Sequence, residues 1–272
     1  MSQETQRAEI AKKRVVYRLP GADAAIVLRD APYKVVDGET LTLDIYHPPD
    51  WKSGTRTPAV LFVTGYSDVG MQAFFGCRAK EMGSYISWAQ LVAASGLAAI
   101  TYTTRQPATD VRAVLEHVRQ NAEPLGIDGN RIGVWACSGN VPTALSVLMQ
   151  KEQPHLECAV LCYGFMLDLE GSTVVAEAAR TFGFSNPAAG RSVADLPRDL
   201  PLFIARAGRD EMAGLNEAID RFLVEALHLN LPLTLANHHA APHAFDTLHD
   251  SETSREIVRQ ILAFMRFHLL AA

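Results

Sequence analysis

Hydrophobic and polar positions alternate near the start of the chain and then give way to longer blocks. Leu41-Thr42-Leu43-Asp44-Ile45-Tyr46 places an apolar side chain at every second position, the period of a strand with one buried face. Asp37-Gly38 separates this run from 32–36 and is a strong turn dipeptide, so 32–47 is read as a β-hairpin. Upstream, 15–19 and 24–29 are short enough to be edge strands, and 1–14 is a polar, loosely packed amphipathic lead-in to which no function is assigned. Beyond the Pro-rich loop at 48–58, Ala59-Val60-Leu61-Phe62-Val63 is continuously apolar, as expected of a strand buried on both faces.

Helical and strand periods then take turns. The pattern predicts a helix over 88–95 closed by Gly96, a strand over 97–102, and a helix over 108–121 with Val111, Val114, Leu115 and Val118 on one face. A strand at 132–136 and a helix at 139–150 follow, then strands at 157–162, 201–205 and 231–236 with helices at 216–229 and 253–270. Such alternation implies right-handed crossovers and an α/β fold, with a mostly parallel sheet covered by helices on both faces behind antiparallel N-terminal strands. Two stretches break the rhythm. Residues 69–83 read as irregular, and 168–198 combine a helix-like segment at 173–180 with a loop rich in Gly, Pro and Ala, long enough for a small cap or insertion. The domain boundaries read this way are an N-terminal extension over 1–30 and one α/β domain over 31–272.

One corner carries chemistry. In Arg131-Ile132-Gly133-Val134-Trp135-Ala136-Cys137-Ser138-Gly139-Asn140 an apolar strand runs into a helix with almost no turn between them. So sharp a corner strains its central residue, and the positions two before and two after must be small for the chains to pass. With Ser138 at the corner these are Ala136 and Asn140, where the usual Gly-x-Ser-x-Gly has glycines. Alanine is the smallest replacement, and asparagine is among the few residues that tolerate unusual backbone angles. Cys137 is the rival nucleophile, but it would put Trp135 in the place that demands a small residue. A plainer reading leaves Ser138 as a helix N-cap.

Composition narrows the field. The 272 residues are 48% hydrophobic and 20% charged, which suits one globular domain with a large core. The net charge of -5 comes without a basic stripe or polybasic run, which argues against nucleic-acid and membrane-surface partners. No apolar stretch approaches a membrane span or a signal-peptide core, so a cytoplasmic location is expected. The four cysteines, Cys77, Cys137, Cys158 and Cys162, are too few and scattered for a disulfide framework or a zinc site and read as reduced thiols.

In a parallel α/β sheet, ligands collect beyond the carboxyl ends of the strands. Ser138, Asp210 in Ala207-Gly208-Arg209-Asp210-Glu211, and His243 in Pro242-His243-Ala244-Phe245-Asp246 each follow a predicted strand, in the order Ser, Asp, His. On these three turns the chain, from about residue 41 to its end, resembles the α/β-hydrolase superfamily, and within it compact serine esterases and dienelactone-hydrolase-like enzymes. The resemblance implies a catalytic triad of Ser138 as nucleophile, His243 as base and Asp210 as the carboxylate behind the imidazole. Glu211 is the neighbouring rival for the acid, and His239, with His238 and His249 nearby, for the base. An oxyanion hole would take the backbone N–H of Gly139 and, from the Thr64-Gly65-Tyr66 loop, the N–H of Tyr66, whose phenol is a further candidate.

The activity so implied is hydrolysis of a small-molecule carboxylic ester, with lactones and thioesters as variants and no cofactor required. An acyltransferase on the same residues and a catalytically silent ligand-binding protein are the alternatives that the fold allows. Phe74, Phe75, Tyr85, Trp88, Phe165, Phe182 and Phe184 suggest an apolar acyl site to which only two or three of them contribute directly, and a homodimer is the default assembly.

Overall fold

The computed structural model describes residues 3–150 and 156–270, so the first two residues of the expected lead-in lie outside it. Helix α1 (Gln3–Lys12) opens the chain, followed by β1 (Ile26–Val36), β2 (Glu39–His47) and β3 (Thr57–Phe62). Next come α2 (Asp68–Phe75), α3 (Gly83–Ala94), β4 (Ala98–Tyr102), α4 (Pro107–Gln120), β5 (Ile127–Cys137) and α5 (Val141–Leu148). The remainder is β6 (Ala159–Cys162), α6 (Val174–Phe182), β7 (Leu202–Ala207), α7 (Leu215–His228), β8 (Leu233–His238), α8 (Phe245–Leu248) and α9 (Glu252–Leu270).

Among the described residues, eight strands form one sheet in the order β1-β2-β4-β3-β5-β6-β7-β8. β2 runs against both of its neighbours and every pairing from β4 onward is parallel. The predicted hairpin is present, and Asp37 and Gly38 both have positive φ (52° and 80°), as a two-residue turn matched to strand twist requires. Residues 15–19 are not a strand. The other expected edge strand belongs to β1, which continues through Pro32 because register shifts between Leu28 and Ala31 and between Pro32 and Lys34 absorb the irregularity at an edge.

Successive residues of β3 explain its unbroken apolarity. Leu61 points into a core shared with Ile100, Val134 and the α4 face of Val111, Val114, Leu115 and Val118. Val60 and Phe62 point the other way, among Trp88 and Val92 of α3 and Val258, Ile261 and Met265 of α9. Each such side chain, buried on one face or the other, contributes about 1.5–3 kcal/mol, so the centre of the sheet is rigid where β3 and β5 end. Near the antiparallel edge, buried Lys80 closes the hairpin by ion pairs of 2.8 Å to Asp44 and 2.6 Å to Asp30.

The stretch expected to be irregular contains α2. Ser67 caps it by accepting the Gly70 N–H (3.1 Å), and Gly76 closes it at φ 74°. Only Met71 of this helix is buried, which is why no apolar period marks it in the sequence. Among the described residues no helix is long and apolar enough to cross a membrane, and no group of three or more His, Cys, Asp or Glu could hold a metal ion.

Candidate active site

β5 ends at Cys137, and Ser138 begins a short 3-10 turn, Ser138–Asn140, that leads straight into α5. Ser138 has φ 55°, a left-handed conformation that costs a non-glycine residue energy and is maintained only by the packing around it. Tyr163 at the end of β6 and Ala244 beside His243 also have positive φ (35° and 53°), so backbone strain gathers at this end of the sheet. Asn140 does not share it. Its φ of −84° and ψ of −18° are ordinary helical angles, so asparagine is not there for conformational tolerance.

The loops after three different strands converge at the corner. His243 Nε2 lies 2.9 Å from Ser138 Oγ, and His243 Nδ1 lies 2.6 Å from Asp210 Oδ2. The Asp210 side chain is fully buried and its other oxygen accepts the Met212 N–H (3.0 Å), which fixes the carboxylate behind the ring. Glu211 is exposed, as is His239, while His238 is buried and pairs with Ser251 Oγ (3.2 Å). Neither these three nor His249, whose Nδ1 lies 3.4 Å from Ser254 Oγ, is hydrogen-bonded into the line from Ser138 to Asp210. Cys137 faces the same cavity, but desolvation, with the Asp246 carboxylate adding to it, pushes its thiol up to about 12. At neutral pH that thiol keeps its proton and is a poor nucleophile.

Gly139 follows Ser138 in the first helical turn, where backbone N–H groups lack intrahelical acceptors. A Cβ on Gly139 would fall 2.7 Å from the Tyr66 hydroxyl and 2.6 Å from the Phe184 ring, so the phenol of Tyr66 stands beside this residue. The Tyr66 N–H itself makes a long contact, 3.3 Å, to Thr64 Oγ1. Burial raises the Tyr66 phenol to about 12, which keeps it a proton donor.

A cavity of about 460 Å³ opens beside Ser138 and His243. Phe74 and Phe75 of α2 and Tyr85 and Trp88 of α3 line it, whereas Phe165 and Phe184 stack on each other at 5.4 Å behind Tyr66 and Phe182 is exposed. A further wall is α1, through Gln6, Arg7 and Ile10, with the Arg7 guanidinium 3.9 Å above the Phe74 ring. Among the described residues lining this cavity none comes from 168–198. That segment instead buttresses the loop opposite Ser138, where the Ser185 N–H donates to the Gly65 carbonyl (2.8 Å).

Two features escaped the sequence reading. Asp246, buried three residues beyond His243, accepts from the Trp88 indole N–H (2.6 Å) and the Tyr163 hydroxyl (2.7 Å), and burial raises its pKa. Its carbonyl also accepts the Val16 N–H (2.8 Å), so the loop carrying His243 is tied to α3, to the end of β6 and to the N-terminal segment. The second is the α1 wall. Neither leaves a local signal, because every partner lies far away in sequence.

No protein-family model matches the chain, and no curated protein matches it in sequence. Solved structures do match in shape. Esterase 2 of the planctomycete Thermogutta terrifontis superposes with a TM-score of 0.64 at 20% identity, over 92% of this chain and 95% of its own. That esterase has also been seen phosphonylated by sarin. A thermostable esterase of Pseudomonas putida gives 0.70 at 15% identity over 100% and 92% of the two chains, and the esterase LipW of Mycobacterium marinum 0.68 at 17% over 97% and 86%. With one reversed strand ahead of a parallel sheet, a strained serine where β5 meets α5, and these likenesses over nearly the full lengths compared, the chain has the α/β-hydrolase fold.

Proposed function

We propose that the protein is a serine hydrolase that cleaves carboxylic esters through an acyl-serine intermediate on Ser138. The observation that carries this reading is the unbroken line from Ser138 Oγ through the His243 ring to the buried Asp210, at 2.9 and 2.6 Å. Serine is a weak nucleophile at neutral pH and needs an adjacent base. As Ser138 Oγ attacks the ester carbonyl, its proton passes to His243 Nε2, and Asp210 stabilises the imidazolium. The carbonyl π electrons move to oxygen, and the oxyanion is met by the Gly139 N–H and by Tyr66. Collapse breaks the bond to the alkoxide, which takes the proton from His243. Water, deprotonated by His243, then releases the acid and restores Ser138. Lactones and thioesters would pass through the same steps.

Aromatic and aliphatic walls beside Ser138 favour an apolar acyl group. The test is a fluorophosphonate probe, with the adduct located by peptide mass spectrometry, on the unaltered protein and on Ser138→Ala and His243→Ala. Phosphonylation of the Thermogutta esterase by sarin is the analogous reaction. The expected result is an adduct on Ser138, absent from Ser138→Ala and slowed about a thousandfold or more in His243→Ala. An adduct on Cys137 would move the reading to thiol chemistry. No adduct, with apolar esters still bound, would make the protein a silent binding module.

A further inference from the structure

We infer that Asn140 is a positioning residue that bolts the loop bearing Tyr66 to the corner bearing Ser138. The inference rests on the serine-hydrolase reading, since it concerns the geometry of that reaction's oxyanion donors. The loop and the corner are in backbone contact: a Cβ on Gly65 would lie 2.5 Å from the Gly139 carbonyl oxygen and 3.1 Å from Asn140 Cα. Contact alone does not fix register. The side chain of Asn140, 5% exposed, adds directed bonds from both ends of its amide. Oδ1 accepts the Gly65 N–H at 2.7 Å, and Nδ2 donates to the Tyr85 hydroxyl at 3.0 Å. A backbone N–H can only donate, so the oxygen must face Gly65 and the nitrogen Tyr85, and the amide cannot be flipped without losing the first bond.

The consequence is a chain of three parts. Tyr85, on α3 and buried, holds the amide; the amide holds Gly65; and Gly65 is bonded directly to Tyr66. The opposite side of Gly65 is held by the Ser185 N–H at its carbonyl. Glycine at position 140 would leave the Gly65 N–H buried without this acceptor and the loop free to shift. Displacements of about 1 Å near the reacting atoms can cost on the order of a hundredfold in rate. Asn140 thus does for the oxyanion loop what Asp210 does for the imidazole, setting the position of a group that touches the substrate.

The experiment uses the full chain, with p-nitrophenyl butyrate for kcat and KM, fluorophosphonate labelling of Ser138 for the rate of tetrahedral addition, and thermal unfolding for stability. In Asn140→Ala, whose helical backbone angles suit alanine, kcat and the labelling rate are expected to fall together by about 10- to 100-fold. KM should stay within about threefold, because ground-state binding is left in place. Tyr85→Phe should lower kcat less, and adding it to Asn140→Ala should change nothing further, because the amide it orients is gone. A lower Tm with kcat and labelling within twofold of the unaltered protein would overturn the inference and leave Asn140 as packing. Additive losses in the double variant would overturn the relay through Tyr85. Should Asn140→Ala not fold, Tyr85→Phe decides alone, with labelling unchanged counting against the proposal. Absence of labelling in the unaltered protein would instead sink the serine-hydrolase reading, and this inference with it.

Discussion

Ser138 has an imidazole within hydrogen-bonding reach, and the hydroxyl of Tyr66 stands beside Gly139, against the stacked rings of Phe165 and Phe184. Because the Tyr66 N–H is already drawn toward Thr64 Oγ1, in the proposed mechanism the phenol is the donor that the oxyanion would gain only when it forms. Tyr66→Phe keeps the backbone and removes that donor, so kcat should fall about tenfold or more while KM stays nearly constant. Equal kcat in steady-state assays of the two proteins would assign the second donor to the backbone N–H alone. The three residues of the proposed triad were legible because each follows a strand and their order is distinctive. The part played by Asn140 was not, since Gly65 and Tyr85 are 75 and 55 positions away and its backbone angles advertise nothing. What could be read was only that the two glycines usual at this corner had become Ala136 and Asn140.

At the level of elements, α2 shows how a surface helix with one buried side chain evades pattern reading, and how its first turn stores an electrostatic cost. Asp68 accepts the Thr104 N–H through Oδ2 (3.1 Å), but its Oδ1 is buried without a hydrogen-bond partner. Desolvation raises its pKa from the ordinary 3.8 to about 6. The folded protein therefore binds this proton more tightly than the unfolded chain does. Stability from this site is greatest below about pH 4, is lost as the pH rises toward 6, and is flat above it. Asp68→Asn retains an acceptor for Thr104 and carries no charge. It should raise stability by about 1 kcal/mol at pH 8, once solvent screening of this half-buried group is allowed for, and by nothing near pH 4. Urea unfolding at the two pH values checks this, and a gain of equal size at both would disprove the electrostatic cause. Strands with a strong local pattern, such as β2 and β3, were read to within two residues, whereas β1 was divided at Pro32 because a proline signals interruption more strongly than a bulged edge strand signals continuity.

For the whole molecule, the sheet order and the convergence of three loops at the carboxyl ends of β5, β7 and β8 follow from rules of parallel topology, and so were accessible from the alternation of periods. What closes the cavity was not, since α1 is mostly polar and meets its partners only after the chain has folded back over α2 and α3. Removal of residues 1–12 would leave the bonds from the Val15 N–H to Ser87 Oγ and from the Val16 N–H to the Asp246 carbonyl in place. The shortened protein should hydrolyse p-nitrophenyl acetate with unaltered kinetics, because the two carbons of an acetyl group occupy little of the cavity of about 460 Å³. Its KM for p-nitrophenyl octanoate should rise about fivefold with the loss of that apolar wall. An unchanged preference between the two esters would mean that α1 contributes nothing to acyl binding. Arg7, Lys12, Lys13 and Arg14 all offer cleavage points to trypsin-like proteases. A partly nicked sample would then be a mixture of two enzymes, indistinguishable with acetate and biphasic with octanoate, and batches that agree on short esters would disagree on long ones in proportion to their intact N-termini.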